Sequence, residues 1–360
     1  NAFAKLGYEF NSNHKVQASY NFFSSRQTTN YLTVNGDYRN GVKTTAALGE
    51  SKGVPQGVRG NHNLSLLFTG KTVIANTSYD ADIYYQSVDN VFFYSEVFVN
   101  GGVSRILSKK SGARLVLNTP VSLKNLDANF TYGLDAQRDV TSQPLVDGRV
   151  WVPEMDMFNL APFLQTKFTL FDNLILKGGV RYEKVNITVD DYATLPTKNT
   201  STGVVTPSMN VKGGNLEYNT VVFNAGLRYN ISEYFSPYVS FSQGFSVSDI
   251  GLVLRSARVN EIAKINTEAV IIDNYEAGFV TRIKNIRFEA TGYISKSSLG
   301  ANSVFQNGVF VVVRAPERIY GFELAADVQL TKNLQTGLSY SYVEGKIDAN
   351  NNGSFKDDTD

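Results

Sequence analysis

Polar and apolar residues alternate along most of this chain. LDANFTYGLDAQ puts Leu126, Ala128, Phe130, Tyr132, Leu134 and Ala136 on one face, with Asp127, Asn129, Thr131, Gly133, Asp135 and Gln137 on the other. VVFNAGLRYNIS repeats the pattern, setting Val221, Phe223, Ala225, Leu227, Tyr229 and Ile231 against Asn224, Gly226, Arg228, Asn230 and Ser232. From Phe322 to Leu330 an apolar row is opposed by Glu323, Asp327 and Gln329. In KFTLFDNLILKGGVRYEKV, Phe168 and Leu170 precede Asp172-Asn173, and Leu174, Leu176, Val180 and Tyr182 follow it, opposed by Lys177, Arg181 and Glu183. A period of two with one polar face is the signature of a β-strand, and helical periodicity is scarce.

The pattern predicts about 14 strands, at 2–10, 14–24, 61–69, 73–86, 111–123, 126–137, 160–170, 174–186, 217–231, 235–244, 273–283, 286–296, 317–330 and 334–343. Short polar turns fall near 11–14, 69–72, 124–125, 172–173, 232–233, 284–285 and 331–333. Long polar segments, roughly 25–60, 87–110, 138–160, 187–216, 244–272 and 297–316, alternate with them, and another opens at about 344. Long loops therefore gather at one end of the sheet and tight turns at the other. Structureless loops above about 12–15 residues are uncommon in compact soluble domains, so this asymmetry favours an antiparallel transmembrane β-barrel. Leu174, Leu176, Val180 and Tyr182 then read as a lipid-facing row. Apolar parity slips at Lys184, with Val185, Ile187 and Val189 out of phase. A bulge would cause this, and so would a strand leaving the apolar layer on its way to the outer loop.

Composition narrows the field. The 34 basic and 33 acidic residues nearly cancel, which argues against a nucleic-acid partner held by bulk charge. With no cysteine, disulfide frameworks and thiolate metal sites are excluded. No apolar run reaches the ~20 residues of a membrane helix, whereas a barrel strand needs only about 9–11. Two histidines, His14 and His62, are too few for a metal or nucleophile relay, and no catalytic constellation appears. The chain begins at Asn1 and ends in an acidic, Asn-rich stretch, which is expected of a piece of a longer protein.

Three stretches resemble the barrel of TonB-dependent outer-membrane receptors, the ferric-siderophore type above all. NLILKGGVRYE (Asn173–Glu183) is similar to the family's strand ending in Gly-x-Arg-Tyr. YVSFSQGF (Tyr238–Phe245), followed by NYEAGF (Asn274–Phe279), resembles its aromatic-Ser-Gln-Gly-Phe and Tyr-Glu-x-Gly strands. YGFELAADVQLTKNLQTGLSYSYVEGK (Tyr320–Lys346) resembles the Gly-x-Glu strand, turn and aromatic strand that come next. INTEAVIID (Ile265–Asp273) departs from the Pro-Glu pair common there. The resemblance implies that residues 1–360 are part of a single barrel domain, about 14 of 22 strands, with the plug domain, the first strand and the C-terminal strands lying outside it. It implies an outer-membrane location in a Gram-negative bacterium. The expected partners are a ferric siderophore, outer-membrane lipid and the TonB complex, which acts through the plug. Haem or cobalamin as ligand, or a passive porin-like channel, are the alternatives.

An anionic ferric chelate calls for cations and aromatics at the outer mouth, because the guanidinium fork suits carboxylate and catecholate oxygens. The candidates are Arg59, Arg105, Arg149, Trp151, Arg255, Arg258 and Arg314, each of which also has a plain role as a solvated or ion-paired loop residue. Asp127, Asp135, Lys177, Arg181, Glu183, Arg228, Glu323 and Asp327 are expected to face the lumen and the plug. DANNNGSFKDDTD places Asp348, Asn350 and Asn352 before Gly353, the first half of a Ca²⁺ loop; Asp357 or Asp358 would have to replace the Glu that closes such loops. No other cofactor is expected. The RAP of Arg314–Pro316 is set aside as a haem-receptor signature, because Val313 stands where Phe is needed and no His follows.

Overall fold

The computed structural model describes residues 1–27, 54–247, 249–265, 268–300, 302–306, 309–348, 350 and 352–355. Fourteen strands form one antiparallel sheet, each bonded to its neighbours in chain order. They are β1 (Ala2–Asn11), β2 (His14–Phe23), β3 (Gly57–Lys71), β4 (Ser78–Ser95), β5 (Gly102–Leu123), β6 (Leu126–Pro144) and β7 (Val150–Leu170). Then come β8 (Leu174–Val189), β9 (Gly214–Tyr229), β10 (Phe235–Ser246), β11 (Val270–Ile283), β12 (Ile286–Ser297), β13 (Glu317–Thr331) and β14 (Leu334–Ile347). The strand count and order follow the alternation read from the sequence. No helix among the described residues is long and apolar enough to cross a membrane.

Register gathers the apolar rows into one band. Leu174, Leu176 and Val180 of β8 stand opposite Leu170, Phe168 and Leu164 of β7. On the other side, Leu174, Leu176, Val180 and Tyr182 stand opposite Tyr229, Leu227, Phe223 and Val221 of β9. These side chains are exposed or half-buried, Phe223 being 51% exposed. A continuous apolar face left bare on this scale is a surface for lipid.

The other face is polar and pairs a central group of its charges. Arg181 Nη1 lies 2.7 Å from Asp135 Oδ2, Arg114 Nε 3.2 Å from Asp135 Oδ1, and Arg181 also pairs with Glu183. Glu183, 8% exposed, accepts from Asn159 Nδ2 at 3.2 Å. Glycines let side chains reach two strands away. The Tyr84 ring lies over Gly112, where a Cβ would come within 2.4 Å of the phenol oxygen, and its hydroxyl donates to Gln137 at 2.8 Å. Tyr238 crosses Gly278 likewise and shares a 2.6 Å bond with Thr291.

Three expectations need correction, and one of two alternatives is decided. The strand expected from 73 begins at Ser78; Ile74–Asn76 is a 3₁₀ turn with φ near 50° at Ala75 and Asn76. The segments at 87–110 and 138–160 are mostly strand, because β4 runs to Ser95, β5 starts at Gly102, β6 reaches Pro144 and β7 starts at Val150. There Val91, Val103 and Val152 are buried among polar neighbours, so strict alternation fades while the backbone ladder goes on. Arg59, Arg105 and Trp151, expected on loops, sit on β3, β5 and β7. Finally, β8 carries no bulge at Lys184. Its pairing with β9 runs unbroken from Val189↔Gly214 to Leu174↔Tyr229. The strand continues out of the apolar layer, and the apolar residues change face. Val185, Ile187 and Val189 share the side of Arg181 and Glu183 and are 2–3% exposed.

Candidate ligand site at the mouth of the sheet

What covers those three residues is the β10–β11 connection. Its helix α1 (Ile250–Arg255) begins at Asp249, whose Oδ1 accepts from Leu252 N at 2.9 Å, the usual service of an N-cap aspartate. Ile250 and Leu254, one turn apart, are buried against Val185, Ile187 and Val189 of β8 and Leu216 and Tyr218 of β9, together with Val211 and Ile262. Tyr192 donates its hydroxyl to Leu254 O at 2.9 Å. Burial pushes that phenol up to about 12, so it stays a donor throughout the physiological range. The polar wall thus ends, towards the long-loop end, in a small apolar core built on its own face.

The core fixes where Arg255 goes. Its guanidinium carbon lies 4.2 Å from the centre of the Trp151 ring, and Phe98 meets that ring edge-on at 4.8 Å. Arg255 Nε is buried without a hydrogen-bond partner. Burial pulls its pKa below the usual guanidinium value, yet an arginine stays charged. A desolvated cation stacked on indole, with N–H capacity unused, can accept an oxygen anion.

Arg149 has a different task. It pairs with Asp147 at 2.6 Å and donates to the carbonyls of Val99, at 2.8 Å, and Gly101, at 2.5 Å. It therefore ties the 145–149 turn to the 96–101 turn that carries Phe98. The same contact holds the Asp147 carboxyl below its ordinary pKa. Beside it opens a cleft of about 480 Å³ lined by Arg149, Pro153, Glu154, Tyr192 and Ser208.

The remaining candidates are scattered. Arg105 forms a two-bonded pair with Asp89, at 2.7 and 3.2 Å, on the opposite face of β5 from Lys110 and Arg114. Arg59 bonds Pro55 O, and Arg258 is exposed, bonding Ala257 O at 3.1 Å. Arg314 bonds Glu268 O, while its Nε and Nη1 are buried without partners. The structure thus unites Trp151 with Arg255 and sets Arg149 on the adjoining turn, but leaves the other four apart. Phe98 and Tyr192 were missed, since an aromatic in a turn or a two-residue strand carries no periodicity to mark it. Arg114 was legible: it is in phase with Lys110 on β5.

Of the wall residues, Asp135, Arg181 and Glu183 form the cluster described above. Lys177 stands directly opposite Lys167 on the same face. Arg228 donates to Asn230 Oδ1 at 3.0 Å, and Asp327 stands opposite Arg287. Asp127 and Glu323 stand opposite Thr169 and Thr291. In the acidic loop, Asp348 is 1% exposed, and its two oxygens accept from Asn352 N at 2.9 Å and Gly353 N at 2.7 Å. Asn352 Oδ1 accepts from Ser354 N at 2.8 Å. These side chains close a turn, and no metal-holding group of acids and histidines is found among the described residues. Asn350 is described there too, but Asp357 and Asp358 lie outside the described residues. His62 stands on the apolar face beside Leu64, with Nδ1 2.9 Å from the Tyr20 hydroxyl.

The family model described as TonB dependent receptor-like, beta-barrel matches residues 3–360. The Ferric aerobactin receptor of Klebsiella pneumoniae is 28% identical over 318 residues, 76% of this chain and 42% of that protein. The Rhizobactin receptor of Rhizobium meliloti (strain 1021) is 25% identical over 252 residues, 61% of this chain and 33% of its own. The chain thus spans less than half the length of these curated relatives. Among solved structures, the copper transporter OprC superposes with a TM-score of 0.73 at 13% identity, over 97% of this chain and 53% of its own. The siderophore receptor PiuA from Acinetobacter baumannii gives 0.67 at 12% identity, over 96% of this chain and 56% of its own. At such identities the likeness speaks for the fold.

Proposed function

The chain belongs to the TonB-dependent receptor-like β-barrel family, and we propose that it forms part of the wall and mouth of a Gram-negative outer-membrane receptor that imports a ferric siderophore. The observation that carries this reading is the likeness, over 76% and 61% of the chain, to proteins named as receptors for ferric aerobactin and for rhizobactin. On this reading each part has a task. The apolar band meets lipid, and the polar face lines a lumen. Arg255 on Trp151 offers the chelate a cation and a ring from a rigid mount, while Arg149 holds the turn that supports them. Lys167 and Lys177, opposed on the inner wall, favour an acidic or carbonyl-rich surface of a plug outside this chain. TonB would act through that plug.

Two measurements test this. A strain lacking the gene, grown with one ferric chelate at a time (hydroxamate, citrate-type, catecholate, and haem as a control), should fail on at least one siderophore. Growth on every chelate would sink the assignment. In the full-length receptor, Arg255→Ala should weaken binding of that chelate about tenfold, the loss of one desolvated cation contact.

A further inference from the structure

The chain has no cysteine and three methionines, so Met155, Met157 and Met209 carry all of its sulfur. All three lie in one place. Met155 and Met157 of β7 stand directly opposite Val189 and Ile187 of β8. Met209 belongs to the β8–β9 connection and is fastened to the buried Thr194. Its N–H donates to Thr194 Oγ1 at 2.9 Å, and its carbonyl accepts from Thr194 N at 2.9 Å. Each methionine packs against the buried cluster on which α1 sits, built from Val185, Ile187, Val189, Ile250 and Leu254. Met155 reaches the helix itself: a Cβ placed on Gly251 would come within 3.5 Å of the Met155 methyl carbon.

Each is also half-buried, with one side on the core and the other open to small solutes. A thioether in a core often serves as a gap-filler, because it bends to fit. Gap-filling alone gives a chain with a 14-stranded sheet no reason to keep all its sulfur around one short helix. What separates methionine from leucine at such a place is reactivity. A sulfoxide turns a flexible apolar side chain into a polar one, and the change is reversible.

We propose that Met155, Met157 and Met209 form an oxidisable collar around α1, modified by small hydroperoxides. The sulfur lone pair attacks the distal peroxide oxygen, and the O–O bond breaks with its electron pair going to the leaving oxygen, which takes the proton. Thioether and hydroperoxide thus give sulfoxide and alcohol, or water when the donor is hydrogen peroxide. The sulfur is oxidised by two electrons and the peroxide reduced by two. Burying the new S–O group among aliphatic side chains without a hydrogen bond is costly, so the oxidised side chains turn outward. The cluster loses its margin, α1 loosens, and the mount that holds Arg255 on Trp151 loosens with it. The backbone ladders of β7 and β8 do not depend on these side chains and stay. The effect on a chelate rests on the ligand site proposed above; the loosening of α1 does not.

The test treats the full-length receptor in detergent with hydrogen peroxide in iron-free buffer, beside the triple variant Met155→Leu, Met157→Leu, Met209→Leu. Leucine keeps the volume and apolarity and takes up no oxygen. Any sulfur outside these residues is common to both proteins, so their difference reports these three. Peptide mass mapping should find one added oxygen on each methionine. Amides of 249–265 should then exchange about tenfold faster in the oxidised parent, and unchanged in the triple variant. Methionine sulfoxide reductases with a thiol reductant should restore slow exchange. The collar is overturned if the three sulfurs stay unmodified after free methionine in the same tube is fully converted. Sulfoxide formation without faster exchange overturns it too, as does equal acceleration in the triple variant. Should that variant fail to fold, as seen by lost heat-modifiable migration, Met155→Leu alone decides, and it should remove most of the acceleration. Ferric-chelate binding on the same samples separates the two readings. Binding that weakens only in the oxidised parent supports both, whereas no binding before oxidation counts against the chelate site and leaves the exchange result to decide the collar.

Discussion

The two halves of β8 make a natural comparison. On one face of a single unbroken strand, Lys177, Arg181 and Glu183 lie in the lower part, and Val185, Ile187 and Val189 lie above them. The backbone changes nothing between them; what is packed against the strand changes. Lower down the wall meets open space and its own counter-charges. Higher up it meets α1. Parity therefore reports which face a residue is on, whereas polarity reports what covers it.

Substitutions that treat the halves alike should give unlike results. Leu254→Ala removes the fully buried anchor of α1 and should cost about 2–5 kcal/mol of docking, the range for a large-to-small change in a packed core. Amides of 249–265 should then exchange much faster while those of the lower strands do not, as hydrogen exchange would show. Equal protection in both proteins would mean that α1 is held by something else. Arg181→Ala comes next. It leaves Asp135 and Glu183 without their shared cation, and because Arg181 is about one-third exposed we expect about 1–3 kcal/mol, below the value for a fully buried pair. A double-mutant cycle with Asp135→Asn measures the coupling; additivity would show that the pair is ornamental.

Smallest is Tyr192→Phe, at about 1 kcal/mol for one buried hydrogen bond. The same phenol carries a pH dependence. Its folded pKa of about 12 lies above the unfolded value near 10, so the stability it contributes is complete below about pH 10 and is lost as pH rises through about 12. Protease nicking within 249–265 should increase over that window in the native protein. The phenylalanine variant should show no such step.

Much of the wall was legible in advance, because an exposed apolar band and a wet lumen impose alternation on every strand between its turns. The turn at Asp172 and the rows flanking it could be placed from Phe168 to Tyr182. The upper wall was not legible. In SVDNVFFYS and GVSRILSKK apolar and polar residues no longer alternate strictly, and Val91, Val103 and Ser104 are buried, so the ladder persists without a period-two pattern to announce it. At Val185–Val189 the pattern was visible but ambiguous, since a bulge and a newly covered face give the same slip. The mouth was readable only as a list of arginines. Nothing local brings Trp151 under Arg255: the two meet because an aspartate caps α1 and Leu254 buries it, and those facts become a position only after the chain has folded.

The unbroken register of β8 through Glu183 and Val185 has a consequence for how the chain can change over generations. The lower inner residues answer to a sum of charges, so Arg181 can drift only in step with Asp135 and Glu183. The upper ones answer to volume, and each can drift alone among aliphatic residues of similar size. The outer row need only stay greasy. One strand thus carries three substitution regimes, and a deletion of one residue between Glu183 and Val185 would exchange the inner and outer regimes above it at a stroke.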